Sequence, residues 1–336
     1  MKVQVKDIAQ KAGVSPGTVS NALNNRKGIS KEKREEILKI AEEMGYKSSD
    51  KGKHHVIRFL ILNKDAHVIG DTPFFSELIR GVEMECQKQG YELLMNHIYK
   101  NNYDDVEKTL NQDHVDGILL LGTEMVEEDF GLLEKIHIPL VIVDAVFRNQ
   151  QYDYVAINNE DGAYDITSHM IEMGHENIGI INSSYQINNF RERKKGYVQA
   201  LEHYFIPIQG ENEALVEPSL DGAYRDMKAY LSAYQAENQE LPSAFFAVND
   251  NIAFGAMKAI SELHLANQIS VAGFDDMPFC EMCNPPLTTV KVDKQFLGKQ
   301  AIQRLIQKID NPNDGVLKTR TATQIVERAS IINRNH

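Results

Sequence analysis

From Arg58 onward the sequence repeats one unit: a short apolar run, a stretch with apolar residues at helical spacing, then another apolar run. The apolar runs predict strands at Phe59 to Leu62, Tyr91 to Met95, Gly117 to Leu121, Leu140 to Val143, Ile178 to Ile181, Ala244 to Val248 and Ile269 to Ala272. Between the first two, Phe75, Leu78, Ile79, Val82 and Cys86 recur at the period of a helix. Strands that are apolar throughout are buried on both faces, and alternation with helices is how a parallel sheet is covered. The expected fold class is therefore α/β, with doubly wound parallel sheets. A stretch of about 270 residues exceeds one comfortable core. The strand series restarts near Ile178, which predicts two similar lobes, one from about 58–157 and 291–319 and the other from about 158–290 and 320–332. A ligand is expected in the crevice between them, at the carboxyl ends of the strands.

The first sixty residues read differently. Val5, Ile8, Ala9 and Ala12 form a helical stripe that stops at Gly13, a residue suited to a left-handed C-cap. Ser15 then caps a second helix that starts at Pro16 and turns Val19, Ala22 and Leu23 inward. This leaves Gly17, Thr18, Ser20, Asn21 and Asn24 outside, a small polar face of the kind that enters a major groove. A third helix from Ser30 or Lys31 uses Ile37, Ile40, Ala41 and Met44 and closes at Gly45. Residues 1–47 thus predict a three-helix, helix-turn-helix DNA-binding domain, followed by a linker at 48–57. Charge separates the same way. The net charge of −12 argues against a polyanion partner, but residues 1–55 hold twelve basic and seven acidic groups, a net of +5, which leaves −17 for the remainder.

The run VKDIAQKAGVSPGTVSNALNNRKGISKEKREEILKIAEEMGY resembles the headpiece of the lactose/galactose repressor (LacI/GalR) family of bacterial transcription regulators. The strings PFFSELIRGVE, VDGILLLG, IPLVIVD, HMIEMGHENIGII, RKKGYVQAL, FAVNDNIAFGAMKAI, ISVAGFDD and PPLTTV extend the resemblance to that family's sensor core, which is built like periplasmic sugar-binding proteins. The resemblance implies a homodimer, held by the sensor cores, that reads a palindromic operator in double-stranded DNA. It also implies a small-molecule effector between the lobes, a sugar in the first reading and a purine or nucleoside in the alternative. Two departures stand out. Asn21 occupies the place where relatives commonly carry a guanine-reading arginine. The stretch Lys47 to His55 lacks the Ala-Arg-x-Leu of the family's hinge helix, with Gly52 and His55 at the positions of the alanine and the leucine wedge.

The expected DNA contacts are Ser15, Pro16, Gly17, Thr18, Ser20, Asn21, Asn24 and Arg26, with Lys47, Lys51, Lys53 and His55 from the linker. For the effector, Phe74 and Phe75 offer flat rings between the first strand and first helix. Asp144 ends a strand on the crevice side, and Arg193, in the family's Arg-x-x-Gly-aromatic pattern, offers a fork of donors. Asn249 and Asp275 end strands of the second lobe, and Asn158, Tyr185 and Asn188 lie on crevice loops. Catalysis is not expected, because P-loop, G-x-G-x-x-G, G-x-S-x-G and H-E-x-x-H motifs are all absent. Neither is a cofactor or metal: Cys280 and Cys283 form a single C-x-x-C, short of a tetrahedral site. With three cysteines, no apolar leader at the N-terminus and no apolar run near the ~20 residues of a membrane span, a cytoplasmic location is expected.

Overall fold

The structure, a computed structural model, describes residues 3–23, 29–44, 46, 55–64, 68–69, 73–99, 115–134, 136–237 and 240–335. The chain divides into two compact units, Met1–His55 and Val56–His336.

The first unit holds α1 (Val5–Ala12), α2 (Pro16–Leu23) and α3 (Lys31–Glu43). Helix α1 ends because Gly13 turns left-handed at φ 64° and its N–H returns to the Ala9 carbonyl. Ser15 starts α2 at once, its Oγ accepting the Thr18 N–H at 3.1 Å. Ser30 does the same for α3, accepting the Lys33 N–H at 3.3 Å. The three helices close over Ile8, Ala9, Ala12, Val19, Ala22, Ile37 and Ala41, all buried. Small alanines at the crossings let short helices share so small a core. Gly45, the expected stop of α3, lies outside the described residues.

The second unit contains two six-stranded sheets, ordered β11-β5-β4-β3-β1-β2 and β12-β10-β9-β8-β6-β7. The first lobe comprises β1 (His55–Asn63), α4 (Pro73–Gln89), β2 (Tyr91–Tyr99), β3 (Gly117–Leu121), the short α5 (Phe130–Leu133), β4 (Leu140–Val143) and β5 (Asp153–Ile157). The second comprises α6 (Asn159–Glu172), β6 (Ile178–Ser183), α7 (Asn188–His203), β7 (Glu213–Val216), α8 (Leu220–Ala236), β8 (Ala244–Ala247), α9 (Asp250–Glu262), β9 (Ser270–Asp275) and β10 (Thr288–Lys291). The chain then returns to the first lobe through α10 (Lys294–Asp310) and β11 (Lys318–Thr321), and ends in the second with β12 (Gln324–Val326). Three connections therefore join the lobes, and the two sheets match strand for strand. They differ at the last strand: β11 lies parallel to β5, whereas β12 runs antiparallel to β10.

Helices pair tightly where glycine removes a side chain. A Cβ at Gly196 of α7 would collide with the Glu160 carbonyl of α6, one at Gly255 of α9 with the Leu220 carbonyl of α8, and one at Gly81 of α4 with the Gln295 carbonyl of α10. Each pair lies against its sheet and is held in place by backbone contact.

Some elements differ from expectation. Strand β2 runs on to Tyr99 as a partly exposed edge strand, and β9 extends through Asp275. Strands β5, β7, β10, β11 and β12 were not anticipated, because each carries polar residues. His55, expected in the linker, is instead the half-buried first residue of β1, whose pairing with β3 begins two residues later at Ile57.

Candidate functional site

The two matching sheets place matching residues at the crevice. Asp144 directly follows β4 and Asp275 ends β9, one from each lobe, and both have positive φ, 65° and 118°. Such backbone is costly for a residue with a side chain and clusters at functional sites. Between them lies a narrow cavity of about 40 Å³, lined by residues of both lobes.

Of the expected residues, Phe74, Phe75, Asp144, Arg193, Asn249 and Asp275 all line this cavity. Val68, Thr123, Ile187, Asn189, Phe190, Asn251 and Met277 line it as well and had not been anticipated. The signal for Asn189 and Phe190 was available: they open the helix that carries Arg193, one turn ahead of it. Three expected residues are elsewhere. Asn158 precedes α6 and its amide is taken by Asp161, Asn188 donates to the Val146 carbonyl at 2.9 Å, and Tyr185 packs half-buried against the core in a turn closed by Ser183. Asn188 instead helps tie the second lobe to the first.

Hydrogen bonds fix the polar groups before any ligand arrives. The Thr123 hydroxyl donates to Asp144 Oδ2 at 2.5 Å, and the Asn189 amide reaches across from α7 to Asp144 Oδ1 at 3.2 Å. Arg193 is almost fully buried: Nε donates to Asn159 at 2.9 Å, Nη1 to the Val248 carbonyl at 2.6 Å, and Nη2 to Asp275 at 3.2 Å. Its guanidinium lies 3.8 Å from the Phe274 ring centre. Buried Lys294 donates to the backbone carbonyls of Asp275 and Asp276. The Asn249 side chain caps α9 by accepting the Ile252 N–H at 2.9 Å, which leaves its amide N–H groups for the cavity.

Burial dominates the electrostatics. It pushes the Asp144 carboxyl up to about 7, opposed by the Thr123 hydrogen bond and the charge of Arg193. Burial also raises Asp275, which Arg193 and Lys294 oppose. Behind them Asp250 is raised by burial and by Asp275, and accepts Thr289 Oγ1, the Met277 amide and Cys280 Sγ. That last contact explains Cys280 as a buried donor. Both thiols of the C-x-x-C are free, and no group of three metal-ligating side chains occurs among the described residues. His175 donates to or accepts from Ser243 at 2.8 Å in a fully buried place, and His169 lies 3.9 Å from Glu327, so both serve packing.

In the first unit Ser15, Pro16 and Gly17 are exposed and Thr18, Ser20 and Asn21 half-buried along α2, opposite Val19 and Ala22. Asn24, Arg26, Lys47, Lys51 and Lys53 lie outside the described residues. Among the described residues no helix is long and apolar enough to cross a membrane.

A helix-turn-helix unit followed by a two-lobed core with a polar crevice between the lobes defines a class: DNA-binding transcription regulators governed by a small molecule. Residues 4–49 match the bacterial regulatory proteins of the lacI family, and residues 167–331 match the periplasmic binding protein-like domain. An HTH-type transcriptional repressor PurR of Haemophilus influenzae (strain PittEE) is 32% identical over 329 residues, covering 93% of each chain. The ribose operon repressor of Haemophilus influenzae (strain ATCC 51907 / DSM 11121 / KW20 / Rd) is also 32% identical, over 92% of this chain and 93% of its own. The fold is shared with a lac repressor dimer bound to operator and the anti-inducer ONPF, at TM-score 0.71 and 22% identity, over 99% of this chain and all of the other. The chain belongs to the lacI family of bacterial regulatory proteins, and it is a DNA-binding transcriptional repressor with an effector-binding core.

Proposed function

We propose that the protein acts in the cytoplasm as a homodimer, without enzymatic activity, and represses carbohydrate-utilisation genes under the control of a sugar bound in the crevice. The observation that carries the effector reading is the cavity itself, with Phe74 and Phe75 on one wall and the fixed polar groups Asp144, Arg193, Asn249 and Asp275 around it. Flat apolar rings beside directional donors and acceptors are what a sugar face and its hydroxyls require. Residues 1–47 serve as the DNA-binding domain and 58–336 as the sensor. Helix α2 enters the major groove with Ser15, Pro16, Gly17, Thr18, Ser20 and Asn21 toward DNA, and two such helices related by a two-fold axis read a palindrome. Lobe closure around the effector changes operator affinity.

One observation favours a second reading, a purine or nucleoside. Phe190 adds an aromatic ring from the second lobe to the two that the first lobe contributes to the cavity lining, and a flat base could use rings from both lobes. The 32% identity to PurR supports that alternative as much as the equal identity to the ribose operon repressor supports the first. A thermal-shift screen across sugars, sugar phosphates, nucleobases and nucleosides decides between them. The expected hit raises Tm in the parent protein, changes operator affinity, and loses its shift in Phe74→Ala. A hit whose shift survives that substitution would place the effector elsewhere.

A further inference from the structure

The charge of the crevice constrains its ligand more sharply than its shape does, provided that the crevice is the effector site as read above. Among the described residues, two carboxylates line the cavity, Asp144 and Asp275, and one cation, Arg193. Lys294 stands behind Asp275, donating to its backbone carbonyl and opposing the effect of burial on its carboxyl. Asp144 has no ion pair with a cation among the described residues: its acceptor oxygens meet only the hydroxyl of Thr123 and the amide of Asn189.

Among the described lining residues Arg193 is the one cation, and it is paired with Asp275. Three of its five N–H donors are spent on Asn159, Val248 and Asp275, and Phe274 covers its face. An incoming phosphate or carboxylate that claimed the guanidinium would displace Asp275 and leave a buried carboxylate facing Asp250, with Lys294 alone to offset two charges. A buried charge stripped of its partner is strongly unfavourable. The charge left on the wall is of the opposite kind, on Asp144 and Asp275, beside neutral amide donors such as Asn249.

We propose that the crevice selects an uncharged effector that presents O–H or N–H donors to Asp144 and Asp275, and that it excludes phosphorylated and carboxylated counterparts. Free sugars and nucleobases share this chemistry; sugar phosphates and nucleotides do not.

The test uses the full-length protein and matched probes at pH 8: ribose with ribose 5-phosphate, glucose with glucose 6-phosphate, adenine with adenosine monophosphate, and hypoxanthine with inosine monophosphate, read by thermal shift and calorimetry. At least one uncharged member is expected to bind, with its phosphorylated partner weaker on the order of a hundredfold, as charge repulsion in a partly dry site would give. Asp144→Asn, which keeps the shape and removes one negative charge, should narrow that gap about tenfold. A phosphorylated probe that binds as tightly as its partner overturns the proposal, and so does a gap unchanged in Asp144→Asn, since exclusion would then be steric. Failure of the underlying site reading looks different: no probe of either kind binds, or binding persists undiminished in Phe74→Ala.

Discussion

With α2 in the major groove as proposed, Asn21 is the residue expected to set most directly what the headpiece can read. It sits half-buried on α2, on the face opposite the packed Val19 and Ala22. An asparagine side chain grips adenine through N6 and N7, whereas arginine grips guanine through O6 and N7. The operator half-site is therefore expected to carry adenine where arginine-bearing relatives meet guanine. Asn21→Arg should shift preference toward guanine by ~1–3 kcal/mol, measurable by selection of binding sites from random DNA; guanine returned for the parent protein would disprove it. A second residue-scale expectation concerns Asp144. Its folded-state value of about 7 lies above the ordinary 3.8, so the folded protein holds this proton more tightly than the unfolded chain does. The stability gained that way is complete below about pH 3.8 and is lost as pH rises through 7. Asp144→Asn cannot ionise, so its stability relative to the parent should climb between pH 4 and 7 and level off above, in denaturant titrations read at several pH values. A flat difference across that range would mean that Asp144 stays ionised throughout. The residues of the crevice were legible in sequence when a strand end announced them, as with Asp144, Asn249 and Asp275. Asn158, Tyr185 and Asn188 misled because a polar residue beside a strand can equally satisfy the local backbone or a neighbouring loop, and only the packed molecule shows which.

The elements show the same division between what pattern reveals and what contacts decide. Strands β3 and β4 lie at Gly117–Leu121 and Leu140–Val143, as their unbroken apolar runs predict, because central strands meet apolar surroundings on both faces. Strand β5 escaped notice because it opens with Asp153, whose carboxylate is buried against Arg304 of α10 at 2.6 Å and accepts the Leu317 N–H at 2.9 Å. Strand β10 has no apolar run to mark it because it opens on Thr288 and Thr289, whose hydroxyls bond the Arg328 N–H and Asp250. Polar side chains whose partners lie dozens of residues away are invisible to periodicity. Helix pairing offers a test at this scale. Gly196 sits mid-helix in α7, where alanine would by intrinsic preference gain up to ~1 kcal/mol. The added methyl would, however, meet the backbone carbonyl of Glu160, and backbone cannot step aside as a side chain can. Gly196→Ala is therefore expected to destabilise the core by ~1–3 kcal/mol net, seen as a lower Tm. An unchanged or raised Tm would mean that α6 and α7 can separate freely.

Across the whole molecule, the charge division between the two ends of the chain separates two kinds of binding. Residues 1–55 carry +5 and the remainder −17, so attraction to DNA resides in the headpiece. Operator affinity should fall with salt on a log–log plot with a slope of about 0.9 per phosphate contacted. Effector affinity should barely move over the same range, because its polar partners are buried and preset; a steep salt dependence for the effector would contradict that picture. The three crossings between the lobes carry a further consequence, one for the birth of the protein. The headpiece is complete within the first 55 residues and can fold while the rest is still being made. Neither lobe has that freedom: α10 and β11 of the first and β12 of the second follow all the other elements of both lobes in chain order. On the ribosome, β5 and β10 must wait with bare edges until β11 and β12 have emerged, and unpaired edges invite pairing with other chains. A message cut short before Lys318 would thus damage both lobes at once, leaving a nascent product able to present its DNA-binding helices but with neither sheet closed.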